Sequence, residues 1–242
     1  MSKVAAFFDL DGTLYREGLI TEVFKKMVKY EIIGQERWYN DVRPDYIRWD
    51  KRQGDYDDYL LKMIDIYMEA IKGLKNHRIE YIAKKIVEQK GDRVYTFTRE
   101  RIKWHKEQGH IVIAISGSPL ELVKEMSEKY HMDDYRGTIY KLDENGKYNG
   151  EVVPMWDSDS KQKAINELVE KHDIDLSKSY AYGDTSGDYT MFKSVGCPFA
   201  INPTKELLGK IKNDESLKDK INLIVERKDV TYKLDMNSIE II

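Results

Sequence analysis

Residues 4–8 form a short, unbroken apolar run that stops at acidic and glycine residues. A strand in a parallel sheet is covered on both faces, so such a run predicts a buried strand with function expected in the loop after it. From about residue 16 to 95 the period changes. Val23, Met27, Tyr30 and Ile33, then Leu60, Ile64, Tyr67 and Ile71, recur at three- or four-residue spacing in a charged, aromatic background. That spacing predicts an all-helical stretch.

The strand pattern then resumes. A helix is expected over 99–108 with Gly109 as its stop, a strand over 111–115, and a helix to about 130 with Pro119 near its first turn. The tract DENGKYNGEV between β-rich segments places a hairpin turn at Asn145-Gly146. A helix over 161–171 precedes strands at 179–182 and 197–201, with Asn202-Pro203 ending the last. The tail from Thr204 is charged and carries one strand, at 221–225.

This alternation predicts a Rossmann-like α/β fold: a parallel-sheet core from residues 1–15 and 96–242, with an inserted all-helical cap at 16–95. The length of 242 residues suits one such domain with an insertion. Basic and acidic residues, 40 against 43, are interspersed, which leaves no broad positive face for nucleic acid or an anionic membrane. No apolar run approaches the ~18 residues needed to cross a bilayer. The opening MSKVAAFF leads into an acidic motif and not a signal cleavage site, so a cytoplasmic protein is expected. One cysteine excludes an internal disulfide, and the five histidines lack zinc-site spacing. Cys197 reads as a small buried residue beside Pro198.

Polar groups suited to phosphoryl transfer end the apolar strands: Asp9-Leu10-Asp11-Gly12-Thr13-Leu14, Ser116-Gly117-Ser118, and Gly183-Asp184-Thr185-Ser186-Gly187-Asp188. In open α/β sheets the carboxyl ends of the strands make the ligand crevice, so these distant segments are expected to converge. In an extended DxD, residues i and i+2 share a side, and Asp9 and Asp11 can address one substrate. With Asp184 and Asp188 they would bring up to four negative charges toward a phosphate, an arrangement that requires a cation; magnesium suits oxygen ligands of this kind.

With Lys161 in SDSKQKAINEL, these motifs resemble the haloacid dehalogenase superfamily, and within it the phosphoserine-phosphatase-like branch. The resemblance implies a phosphatase in which Asp9 is the nucleophile, forming an aspartyl-phosphate, and Asp11 is general acid and then general base. It implies Mg2+ held by the Asp9 side chain, the Asp11 backbone carbonyl and the Asp184 side chain, with Asp188 behind them. Ser116 and the Gly117 turn would bind phosphate, and Lys161, with Lys163 as the alternative register, would neutralise it. Gly12 would permit the tight turn, and Thr13 would either orient Asp9 through a hydrogen bond or serve as a simple turn or cap residue.

The branch clamps phosphoserine with a glutamate after DxD and an arginine in the cap. Here Glu17 falls one residue early, Gly18 stands at the expected place, and Met63 aligns with the arginine. Arg16 and Glu17 remain the candidates for substrate selection. The cap aromatics Trp38, Tyr39, Tyr46 and Trp49, near Arg43 and Arg48, either pack together or receive a quaternary ammonium. The expected partner is a small phosphorylated metabolite, and monomer and homodimer both stay open. Transfer of the phosphoryl group to an alcohol, a phospho-accepting receiver and a silent binding domain are the competing functions.

Overall fold

The computed structural model describes residues 2–240, the side chain of Asp57 excepted. The chain runs β1 (Ala5–Phe8), α1 (Leu19–Lys29), α2 (Gln35–Arg37), a π turn (Trp38–Val42), α3 (Arg43–Asp50), α4 (Tyr56–Ile71), α5 (Asn76–Lys90) and α6 (Thr96–Glu107). It continues with β2 (Ile111–Pro119), α7 (Leu120–Lys129), β3 (Asp134–Leu142), β4 (Tyr148–Val153), α8 (Ser158–His172), β5 (Tyr180–Gly183) and α9 (Tyr189–Ser194). β6 (Cys197–Ile201), α10 (Lys205–Lys212), α11 (Glu215–Lys218), β7 (Asn222–Arg227) and β8 (Val230–Leu234) complete it.

The strands form one 8-stranded sheet in the order β4-β3-β2-β1-β5-β6-β7-β8. Pairings among β3, β2, β1, β5, β6 and β7 are parallel, and only the edge strands β4 and β8 pair antiparallel. The α/β fold read from the alternating pattern is therefore the fold of the chain. β1 lies at the centre with its carboxyl end beside those of β2 and β5, which sets the three motif loops side by side.

Alternation along the central strands fills two cores. Ala6, Phe8, Val112 and Ala114 face one side, together with the buried residues of α1, α4 and α5. Ala5, Phe7, Ile113 and Ile115 face the other, against α8, α9, α10 and α11. On the first face the rings of Phe8 and Tyr182 stack 4.2 Å apart, and Tyr182 stacks on Phe199 at 4.9 Å, tying β1, β5 and β6 together.

Several local expectations shift. β2 runs on to Pro119, which precedes α7 as its cap instead of lying in its first turn. Cys197 is half-buried, because it starts β6 at the rim of the sheet, while Pro198 behind it is buried. The charged tail holds α10, α11 and β8 in addition to the expected strand. The hairpin turn holds as read: Gly146 takes φ +70°, and its N–H donates to the Asp143 carbonyl at 3.0 Å.

The aromatic residues of the insertion pack on one another. Trp38, Tyr46, Trp49, Tyr56 and Tyr59 lie with ring centroids 5.0 to 5.8 Å apart. The Arg52 guanidinium covers Trp49 at 5.5 Å, and Tyr39 stands outside the cluster, exposed, with Arg43 5.7 Å from its ring.

Candidate active site

Asp9 follows β1, and its N–H donates to the Tyr182 carbonyl of β5 at 2.9 Å, so strand pairing itself aims the side chain over the crevice. Lys161 stands in the first turns of α8, a helix capped by Asp157, whose carboxylate accepts the Ser160 N–H at 2.8 Å. Its ammonium is buried and donates to Asp9 Oδ1 at 2.7 Å and to Asp188 Oδ1 at 2.6 Å. Lys163 is exposed.

Asp188 is wholly buried. Its Oδ2 accepts the backbone N–H groups of Asp184 (3.0 Å) and Thr185 (3.1 Å) in a capping box. The side chain thus closes the GDTSGD loop and braces Lys161, which leaves Asp184 to face the crevice. A side chain at Gly183 would overlap the Asp188 carboxylate, so the glycine belongs to this loop closure.

Asp11 Oδ1 accepts the Leu19 N–H at the start of α1 (2.6 Å). Asp11 Oδ2 accepts the hydroxyls of Ser118 (2.6 Å) and Ser116 (3.1 Å). Ser116 Oγ in turn accepts the Ser118 N–H at 3.1 Å. The turn between them is close-packed: a Cβ on Gly117 would come within 2.9 Å of Trp156, and the Gly117 carbonyl accepts the Thr138 hydroxyl at 2.7 Å.

Thr13 donates to Asp184 Oδ1 at 2.9 Å and not to Asp9, which corrects the reading that it orients Asp9. It turns away from Asp9 because Gly12, at φ +79°, folds the chain back so that any side chain there would overlap the Asp184 carboxylate. Arg16 and Glu17, the candidates for substrate selection, are each held in an ion pair. Arg16 meets Glu226 at 2.7 Å and Glu17 meets Arg93 at 2.6 Å. Met63 is buried in the core that covers the first face of the sheet. The sequence places Ser118 in the Ser116-Gly117-Ser118 motif without a role of its own, and it does not single out Glu226. Ser118 has a signal, its place two residues after Ser116 on the same strand end, whereas Glu226 has none.

One oxygen from each of Asp9, Asp184 and Asp188 lies within 4.8 Å of the others. Burial above all, then the neighbouring carboxylates Asp188 and Asp11, pushes the Asp9 carboxyl up to about 8 against the pull of Lys161. Burial, then Asp9 and Asp188, likewise holds Asp184 well above the usual carboxylate range. Burial raises Asp11 as well, opposed by its hydrogen bonds from Leu19, Ser118 and Ser116. Burial disfavours a charged Lys161, but Asp188 and Asp9 more than reverse that and hold it protonated. Four carboxylates against one ammonium form an incomplete charge set that a divalent, oxygen-loving cation would balance, so the donor set fits magnesium.

The family model for haloacid dehalogenase-like hydrolases matches residues 6–193. The Streptomyces azureus inhibition of morphological differentiation protein is 27% identical over 209 residues, covering 86% of this chain and 74% of that protein. The phosphoserine phosphatase of Methanocaldococcus jannaschii is 23% identical over 229 residues, 94% of each chain. A solved substrate-bound phosphoserine phosphatase complex shares the fold with a TM-score of 0.58 at 21% identity, over 95% of both chains. No helix among the described residues is long and apolar enough to cross a membrane.

Proposed function

The chain belongs to the haloacid dehalogenase-like hydrolase family, and on that footing we propose that it is a magnesium-dependent phosphatase of small phosphomonoesters, working through a phosphorylated Asp9. The observation that carries this reading is the Lys161 ammonium bound to Asp9 Oδ1 inside a cluster of buried carboxylates at the strand ends.

Asp9 would attack phosphorus as its P–O(ester) bond breaks, and Asp11 would give its proton to the departing alkoxide. The raised affinity of Asp11 for a proton supports that role. Water would then attack the acyl-phosphate, with Asp11 taking back a proton, so that orthophosphate leaves and Asp9 is restored. Lys161, the rotatable Ser116 hydroxyl and the N–H groups of the Gly117 turn would hold the phosphate oxygens. Magnesium held by the side chains of Asp9 and Asp184 and the backbone carbonyl of Asp11 would supply charge neutralisation and orientation for the phosphate. Asp188 would keep Lys161 and the Asp184 loop in place. Residues 16–95 would act as a cap over the site and exclude bulk water.

The test is a screen of amino-acid, amino-alcohol, sugar and nucleotide monophosphates, with magnesium and with chelator. We expect orthophosphate release equal to alcohol release, lost on chelation and restored by magnesium. Phosphoryl transfer to added alcohols in place of water would identify a phosphotransferase, and metal-independent turnover would overturn the proposal.

A further inference from the structure

Two crossings join the helical insertion to the sheet, one at 14–18 going out and one at 93–96 coming back. They run antiparallel against each other. The Arg16 N–H donates to the Arg93 carbonyl (3.0 Å), the Tyr95 N–H donates to the Leu14 carbonyl (2.9 Å), and Tyr15 is bridged to Val94. Arg16 fastens the same pair through its side chain. Its Nε donates to the Val94 carbonyl at 2.8 Å, and its Nη2 donates to Glu226 Oε1 at 2.7 Å. The guanidinium also lies 5.1 Å from the centre of the Tyr95 ring.

Glu226 comes from β7, 210 residues further along the chain, with its side chain only 3% exposed. Its carboxylate also accepts the first amides of α6, Thr96 N–H (3.0 Å) and Phe97 N–H (2.8 Å). Its own N–H donates to Asn202 Oδ1 at 2.9 Å. One carboxylate thus grips the outgoing crossing, the returning crossing and the sheet. Anion capping of a helix start accounts for the bonds to Thr96 and Phe97. It does not account for Arg16, which lies on the other crossing and bonds both its neighbour strand and Glu226.

The position of Arg16 links this grip to the carboxylates. Leu19, three residues later, donates its N–H to Asp11 Oδ1 at 2.6 Å. A shift at Arg16 would therefore move the donor that holds Asp11. Resting on the phosphatase reading above, we propose that Arg16 and Glu226 form a hinge pin: positioning residues that set how the helical insertion sits over Asp9, Asp11 and Asp184. Neither touches the reacting atoms. Arg16, a candidate for substrate selection in the sequence, acts on this reading through the hinge.

The experiment compares Arg16→Gln, Glu226→Gln and the double variant in the full chain, with turnover of an activated phosphomonoester and amide hydrogen exchange as readouts. The amide introduced by Glu226→Gln keeps one oxygen, enough to accept one of the two α6 N–H groups that the carboxylate shares between its oxygens, so the fold should survive. Each single variant should lower kcat/KM about tenfold, and the double variant by about the same factor, because the two residues share one link. The Arg16 and Tyr95 amides should exchange about tenfold faster, with those of β1 and β2 unchanged. Multiplying losses in the double variant, or unchanged kcat/KM with only a lower melting temperature, would overturn the pin and leave a helix cap. Exchange that stays at the wild-type rate would do the same. If the wild-type chain hydrolyses none of the screened esters, the phosphatase reading fails, while exchange at these two amides still decides whether the crossings are pinned.

Discussion

Asp9→Asn should stabilise the protein without metal and abolish its activity, a pairing of effects that few structural substitutions produce. Burial, with Asp188 and Asp11 nearby, raises the Asp9 carboxyl from its ordinary 3.8 to about 8. The native state therefore keeps a proton that the unfolded chain has released, and stability falls as pH rises between those two values. At pH 7 about three pH units lie above the unfolded value, each worth about 1.4 kcal/mol, which sets a ceiling of about 4 kcal/mol on what the amide could recover. Asparagine keeps an oxygen that accepts from the Lys161 ammonium, so that bond stays charge-assisted, and fitting the amide NH2 into the site costs about 1–2 kcal/mol. A net gain of about 1–3 kcal/mol is expected in chelator, or about 3–10 °C in melting temperature for a chain of this size. The gain should vanish below about pH 4, where the wild-type carboxyl is protonated in both states. Turnover with magnesium should fall by about 10⁴-fold or more, as when a nucleophile is removed. Melting scans from pH 4 to 8 in chelator, paired with steady-state assays, read both effects. A variant that melts at or below wild type at pH 7, or that keeps its turnover, would refute the reasoning.

Other substitutions bear on the same picture. Lys161→Met leaves Asp9 and Asp188 buried without their shared cation; unfolding should show a loss of about 3–5 kcal/mol together with lost turnover, and a loss below about 1 kcal/mol would argue against a charged lysine there. Asp134 on β3 accepts bonds from Lys171 (2.8 Å), His172 (2.7 Å) and Arg136 (2.9 Å). Burial alone would raise its carboxyl, but these donors hold it well below the usual range. Its contribution is therefore present above about pH 4 and lost as pH falls through the depressed value. Asp134→Asn should cost about 1–2 kcal/mol at pH 7 and progressively less toward pH 2, measured by denaturant titration at each pH; a pH-independent difference would contradict this account.

How far the site is legible in the sequence differs from residue to residue. The acidic loops after 4–8 and 179–182 are legible because a buried parallel strand is an unbroken apolar run, and polar residues ending such a run must sit at its carboxyl end. Lys161 is legible through its place near a helix start. Thr13 is misread from sequence, because proximity along the chain favours Asp9 whereas the +79° turn at Gly12 delivers the hydroxyl to Asp184. The strand β8 leaves no pattern to read: it is an edge strand exposed along its length, so no buried face imposes alternation on it.

Local pattern alone determined that this chain makes an α/β sheet with a run of helices between β1 and β2, and which loops carry the acidic and hydroxyl groups, because burial acts on each residue through its own period of 2 or 3.6. Tertiary structure decided the partners. The seating of Lys161 between Asp9 and Asp188, the bracing of Asp11 by Ser116, Ser118 and Leu19, and the grip of Glu226 on Arg16 all join segments distant in the chain. Such contacts follow from strand order and the packing of helices on the sheet, and no repeat in the amino-acid sequence records them.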